Sequence, residues 1–159
     1  MTVMICQIDQ IMAVMNAAFD PAYGEAWNRR QITDALALPN THAQLIGASG
    51  RLLDEKGNNP EELAAGFVLT RNAADEVELL LIGVIPEYRT QGLGQILIKQ
   101  LIISAQEKGV ARIFLEMRRG NPALHLYQKF GFSQIGERRD YYRLPNGEKL
   151  DAITFAKEI

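Results

Sequence analysis

The segment Arg89-Thr90-Gln91-Gly92-Leu93-Gly94 joins an apolar run ending at Pro86 to a long amphipathic stretch, and it carries the most specific chemical pattern in the chain. Glycines on either side of Leu93 let the backbone approach a ligand closely, and the unpartnered amides of a helix's first turn favour an anion. A phosphate or pyrophosphate is the natural ligand of such a loop. Ordinary turn chemistry explains a lone glycine pair equally well, so the surrounding residues have to decide. A dinucleotide fingerprint competes, because Glu116 falls roughly 20 residues after the glycines, where a carboxylate would bind a ribose. Leu97 occupies the place of that fingerprint's third glycine, and Gly92 lies seven residues past Ile85, too far for its tight turn. Only 65 residues follow Gly94, too few for a second nucleotide-binding half and a substrate domain. These three observations exclude it.

The elements that must position this loop are legible from periodicity. Residues 77–85 form a nearly continuous apolar run containing Glu78 and stopping at Pro86, as a central strand covered on both faces would. Residues 92–108 are helical in pattern, with Gly109 placed for a C-cap, and residues 111–117 read as another strand. Strand, helix, strand is a crossover that lays two parallel strands together. Residues 122–130 predict a short helix with Pro122 near its first turn and Gly131 past its end. Two strands follow, around 132–142 and 150–157, joined through Pro145-Asn146-Gly147. Earlier in the chain, Ile8, Ile11, Met12, Met15 and Phe19 recur at helical spacing and predict a helix over 9–19. A second helix is expected over 28–38, where Ile32, Ala35 and Leu36 share a face and Pro39 stops it. Between the two lies an aromatic-bearing loop, Tyr23-Gly24-Glu25-Ala26-Trp27. Strands near 42–48 and 63–71 flank residues 51–62, which read as an exposed hairpin loop.

Length and composition fit one globular domain: 159 residues, 47% apolar types, and 17 Lys and Arg against 19 Asp and Glu. A chain of this size buries roughly 70% of its extended surface, so its core needs no disulfide or structural metal. Cys6 is the only cysteine, which excludes an internal disulfide and Cys-pair metal motifs. No apolar run approaches the ~18 residues of a membrane span, and no charged start precedes an apolar leader. The expectation is a protein of the reducing cytoplasm. The net charge of −2 hides an asymmetry, because residues 108–143 hold eight basic and three acidic side chains. Such a stretch faces a phosphorylated ligand or polyanion, or else is a solvated face laced with ion pairs.

At these residues the sequence resembles the GNAT superfamily of acetyl-CoA-dependent N-acetyltransferases, whose hallmark Arg/Gln-x-x-Gly-x-Gly/Ala is filled by Arg89, Gly92 and Gly94. The resemblance runs through Phe114-Leu115-Glu116-Met117-Arg118 and Leu126-Tyr127-Gln128-Lys129-Phe130-Gly131-Phe132. It continues through Arg138-Arg139-Asp140-Tyr141-Tyr142 to Asp151-Ala152-Ile153, blocks that look like the RimI branch, which acetylates the N-terminus of a ribosomal protein. It covers residues 77–157 well; over 1–76 it is one of organisation. The fold it implies is a single α/β (α+β) domain over 1–159, with an acceptor-side half (1–76) and an acetyl-CoA-binding core with the C-terminal strands (77–159). Its sheet would be mixed, mostly antiparallel, of about seven strands with about four flanking helices, and splayed between the fourth and fifth strands.

The resemblance also implies roles. Acetyl-CoA would sit on Arg89, Thr90, Gln91, Gly92, Leu93, Gly94 and Gln95, with backbone amides of Ile82, Gly83 and Val84 facing the thioester oxygen. Asn121 is the counterpart of a coenzyme-contacting asparagine, although it precedes Tyr127 by six residues where the family has seven. An α-amine of pKa near ~8 arrives mostly protonated and needs a base. Glu116 is that base in the RimI branch, whereas Glu78, six residues before Val84, matches the base used elsewhere in the superfamily. Tyr127 is the counterpart of the acid that serves the departing thiolate. Tyr141 and Tyr142, expected in the loop between the last two strands, and Trp27 would wall the acceptor site. Leu81 replaces an asparagine of the enteric members, and residues 51–62 lengthen a loop. His42 and His125 have no partners at metal-ligand spacing, so no metal is expected. The partner the resemblance implies is a protein or peptide N-terminus, a ribosomal protein's among them, met by a monomer or weak dimer without a membrane or any required nucleic acid. Acetylation of a small amine or a lysine side chain, and a non-catalytic acyl-CoA-binding module, are the alternatives.

Overall fold

Apolar side chains three and four apart build the first helix of the computed structural model, which describes residues 6–53 and 62–159. In α1 (Gln7–Ala18) Ile11, Val14 and Met15 form one fully buried face. A capping box starts α2 (Arg29–Leu36): the Asn28 side chain accepts from the Gln31 amide at 2.9 Å, and the Gln31 side chain accepts from the Asn28 amide at 2.8 Å. Strands β1 (Thr41–Gly47), β2 (Ala64–Ala73) and β3 (Glu76–Val84) follow as an antiparallel meander. Then come α3 (Leu93–Lys108), β4 (Arg112–Arg118), α4 (Leu124–Lys129), β5 (Ser133–Arg143) and β6 (Lys149–Glu158). The sheet order is β1-β2-β3-β4-β6-β5, and the only parallel neighbours in it are β3 and β4, joined by the α3 crossover.

The sheet separates two apolar layers. On one face α1 and α2 place Ile11, Val14, Met15 and Ile32 against Leu45, Phe67, Leu69 and Leu81. On the other, α3 and α4 place Leu93, Leu97, Ile98 and Tyr127 against Val68, Leu79, Ile113, Leu115 and Phe155. The single α/β domain with a mixed, mostly antiparallel sheet and four α-helices is as expected, but the strand count is not. Six strands form among the described residues rather than about seven. The six runs that read as strands from their apolar pattern make one strand each among the described residues. Most of the loop expected over 51–62 lies outside the described residues.

One irregularity positions the site. Leu69 pairs with Leu81 and Thr70 with Leu79, so Leu80 is an extra residue in β3, a β-bulge. The bulge inverts the alternation along the strand. Before it, Val77 and Leu79 face α3; beyond it, Leu81 faces α1 instead. Pairing of β3 with β4 stops there too: it covers Glu76–Arg112, Val77–Ile113 and Glu78–Phe114 and goes no further. Past that point the strands part into a cleft, the splay expected between these two strands.

Candidate active site

The cleft encloses about 820 Å³ between the diverging ends of β3 and β4, the first turn of α3, α4 and the α1–α2 loop. Its floor has backbone to spare. The Ile85 amide donates to Ala65 of β2 at 2.8 Å, so by alternation the amides of Ile82 and Val84 point into the gap, while that of Gly83 points to β2. Only two of the three expected backbone donors therefore face the cleft. Gly83 serves packing instead, because a Cβ there would lie 3.1 Å from the Phe19 ring.

The glycine loop forms an anion cradle at the other end. Thr90 (φ 69°) and Gly92 (φ 84°) both take left-handed backbone, which reverses the chain so that α3 starts with its amides open. The Ile96 amide makes the first intrahelical bond, to Gly92, which leaves the amides of Leu93, Gly94 and Gln95 without helical partners. Gly94 packs tightly on α4, since a Cβ there would come within 3.3 Å of Leu126. Free amides at the positive end of a 16-residue helix suit a pyrophosphate. The Arg89 side chain, by contrast, turns away to structural work: it donates to the carbonyl of Val84 at 3.0 Å and of Ala18 at 2.7 Å. It ties the end of β3 to the end of α1. The Asn121 side chain likewise accepts from the Ala123 amide at 2.9 Å, turning the chain into α4.

Glu116 and Tyr127 both line the cleft. Glu116 Oε2 lies 3.5 Å from Arg138 Nε and 3.5 Å from the Thr154 hydroxyl, and the side chain keeps partial exposure. Tyr127 is buried, its ring centre 5.8 Å from that of Phe132. Burial, and then the Glu25 carboxylate, push its phenol well above the ordinary tyrosine range. Tyr142, half-buried, is pushed up to about 12 by burial, then by Glu116 and Glu25.

Several expected residues stand elsewhere. Glu78 pairs with Arg71, its cross-strand partner, on the closed side of the bulge, and does not line the cleft. Gln91 does not line it either, and Trp27 packs on the α1-side core. Tyr141 and Tyr142 are not in a loop. They lie on β5, where Arg138 pairs with Ala152 and Tyr142 with Leu150, so that three residues bulge opposite Asp151. The Asp140 amide, at a left-handed residue (φ 53°), donates to Asp151 Oδ1 at 3.0 Å and fixes that bulge. From the α1–α2 loop Phe19, Asp20, Tyr23 and Glu25 line the cleft; Asp20 accepts from the Ala22 amide at 2.9 Å, which leaves Tyr23 and Glu25 beside Trp27. The sequence singled them out only by their place beside Trp27. Arg118 pairs with Glu25 at 3.0 Å and lies 3.5 Å over the Tyr23 ring.

Residues 9–132 match the acetyltransferase (GNAT) family. The chain belongs to that family. Among its relatives, the ribosomal protein bS18-alanine N-acetyltransferase of Salmonella typhimurium is 35% identical over 136 residues, covering 84% of this chain and 89% of that enzyme. The enzyme of the same name from Haemophilus influenzae is 37% identical over 91 residues, 57% of this chain; the match spans only 62% of that relative's length. The crystal structure of the Escherichia coli ribosomal-protein-S18-alanine N-acetyltransferase superposes with a TM-score of 0.76 at 28% identity, covering 99% of this chain and 92% of that one. The splayed sheet and the helix N-terminus that fit a pyrophosphate agree with the family's use of acetyl-CoA.

Gly92 makes the cradle by conformation alone, because a Cβ there meets nothing within 4 Å. Within the protein the cost of a side chain there is the left-handed backbone, about 1–2 kcal/mol. Gly92→Ala should weaken coenzyme A binding about tenfold by calorimetry, and an unchanged affinity would put the pyrophosphate elsewhere.

The two raised phenols also set an alkaline limit. Each loses its proton near pH ~10 in the unfolded chain but at higher pH when folded, so their contribution is complete below pH ~10 and lost above it. The urea midpoint should fall as pH rises from ~10 towards the Tyr142 value of about 12. Tyr127→Phe should make that fall shallower; an identical slope would mean that Tyr127 titrates normally.

Proposed function

We propose that this GNAT protein transfers the acetyl group of acetyl-CoA to the α-amine at the N-terminus of a protein, a ribosomal protein being the acceptor. The observation that carries the reading is the convergence of Glu116, Tyr127 and the free amides of Ile82 and Val84 on one cleft that ends in the α3 cradle. The acceptor class is supported by the relatives that act on ribosomal protein bS18.

Each group has a task that its position allows. The α3 amides hold the pyrophosphate, so the thioester runs along the gap between β3 and β4. Glu116 takes a proton from the acceptor nitrogen, directly or through one water, and the freed lone pair forms the C–N bond. Glu116 has this role rather than Glu78, whose carboxylate is held by Arg71 outside the cleft. The amides of Ile82 and Val84 donate to the carbonyl oxygen as it becomes negative. When the C–S bond breaks, the Tyr127 hydroxyl donates to the departing sulfur. Its phenol holds its proton more tightly than a thiol of pKa ~8.5 does, so it stabilises the thiolate by hydrogen bonding. From ammonium to amide the nitrogen loses two protons: the one that frees the lone pair passes through Glu116 to solvent, and the one lost after the C–N bond has formed is the one that ends on sulfur. No covalent enzyme intermediate is needed, and Cys6 lies outside the cleft.

Thiol release from acetyl-CoA should occur with a peptide bearing a free N-terminal alanine and not with an N-terminally blocked peptide containing lysine. Turnover with lysine alone would move the acceptor to side chains, and silence with all amines despite coenzyme binding would overturn the enzyme reading. In the same assay Glu116→Gln should lower kcat by roughly 10²–10⁴-fold.

Tyr127→Phe should cut kcat while leaving coenzyme A affinity within about twofold, since only one donor to sulfur is lost. An unchanged kcat would remove Tyr127 from the reaction.

A further inference from the structure

Glu25 has no part in the steps above, yet it faces the same cleft. Arg118 is the only charged side chain in the buried set of the described residues, at 8% exposure, and Glu25 is its partner: Nε donates to Glu25 Oε1 at 3.0 Å. The same guanidinium lies 3.5 Å over the Tyr23 ring, so the α1–α2 loop is pinned to the end of β4 at two points. Glu116 and Arg118 are two residues apart on β4 and project from one face, about 7 Å apart along the strand. Glu25 therefore stands beside the carboxylate assigned as the base. Tyr142 marks the same neighbourhood, because its phenol is influenced by both carboxylates. Arg118 occupies one oxygen of Glu25. The other, Oε2, makes no hydrogen bond among the described residues, and the side chain keeps 23% exposure.

We propose that Glu25 binds the acceptor's terminal ammonium through Oε2, with Arg118 fixing the carboxylate and Glu116 beside it taking the proton. The inference rests on the α-amine reading above and deepens it by assigning recognition and proton removal to different carboxylates. An amine of pKa ~8 reaches the cleft as a cation, past Arg89, Arg118 and Lys129, and needs a counter-charge to stay. Each carboxylate has one oxygen without a hydrogen bond among the described residues, but Glu116 is approached by Arg138 and Thr154 only at 3.5 Å, whereas a buried guanidinium holds Glu25 at 3.0 Å and fixes where its open oxygen stands. A charge-based site also explains release: acetylation removes the cation, and with it the contact to Glu25.

The test separates recognition from chemistry. Two peptides that differ only at the first atom, one with an N-terminal alanine amine and one with the α-hydroxy (lactyl) isostere, are titrated into protein saturated with coenzyme A, which cannot react. The wild type should prefer the amine by about tenfold or more, the weight of one charge-assisted hydrogen bond. Glu25→Gln should lose most of that preference, Glu116→Gln should keep most of it, and in turnover Glu25→Gln should raise KM more than it lowers kcat. A preference that survives Glu25→Gln, or is absent from the wild type, overturns the inference while leaving acetyl transfer standing; absence of transfer to any peptide overturns the function itself. Because Glu25→Gln leaves Arg118 buried without its partner, the double variant Glu25→Gln/Arg118→Gln is measured beside it, with coenzyme A affinity reporting an intact fold. Retained preference in the double variant refutes the assignment, and its loss supports it.

Discussion

The parting of β3 from β4 governs this molecule. Two parallel strands that begin as neighbours would ordinarily stay paired, since each unmade ladder bond exposes a donor and an acceptor. Here the extra residue Leu80 turns β3 and ends the pairing after Glu78. Everything chemical is downstream of that turn. The amides of Ile82 and Val84 face the gap, Glu116 and Arg118 reach the cleft from β4, and α3 begins where its open amides look along the same gap. Unpaired backbone in a sheet interior is costly, and its retention beside a cleft is what a binding site for a polar acyl group requires.

Charge is arranged around the same opening. Four of the eight basic side chains over residues 108–143 are paired within the protein: Arg112 with Glu76, Arg118 with Glu25, Arg119 with Glu137 and Asp151, Arg138 with Glu116. Three of these pairs bridge distant parts of the chain, and Arg118–Glu25 spans the longest separation. Most are exposed enough to contribute little to stability. The Arg118–Glu25 pair differs because it is largely desolvated, so each charge depends on the other to remain in place. A buried pair of this kind fixes geometry more than it stabilises, and the geometry it fixes is that of the loop over the acceptor side.

Arg89 connects the two halves. Its position in the glycine motif suggested a ligand contact, but its guanidinium spans the carbonyls of Ala18 and Val84. The residue therefore holds α1 against the strand that carries the gap-facing amides. The motif thus does two structural jobs: its backbone leaves the first amides of α3 open, and the Arg89 side chain that precedes it secures the scaffold.

What the sequence determined by itself was the set of elements and the glycine-opened start of α3. Apolar periodicity places each α-helix and strand of the described residues within a few residues, because that signal is local, and the glycine spacing before α3 is read by the backbone on which it sits. The candidate base and acid were legible for a similar reason, each lying in a short block within one element. Tertiary structure alone decided which carboxylates meet. Glu116 is the leading candidate along the chain and Glu78 its rival, and the bulge at Leu80 leaves Glu78 on the closed side and Glu116 in the cleft. Glu25 stands 93 residues from Arg118, so no local pattern announces their contact. The tyrosine pair, expected in a loop, lies on β5 because a bulge held by Asp151 absorbs the irregularity there. Bulges and long-range ion pairs depend on what the partner strand or loop presents, and that information is distributed over residues far apart in the chain.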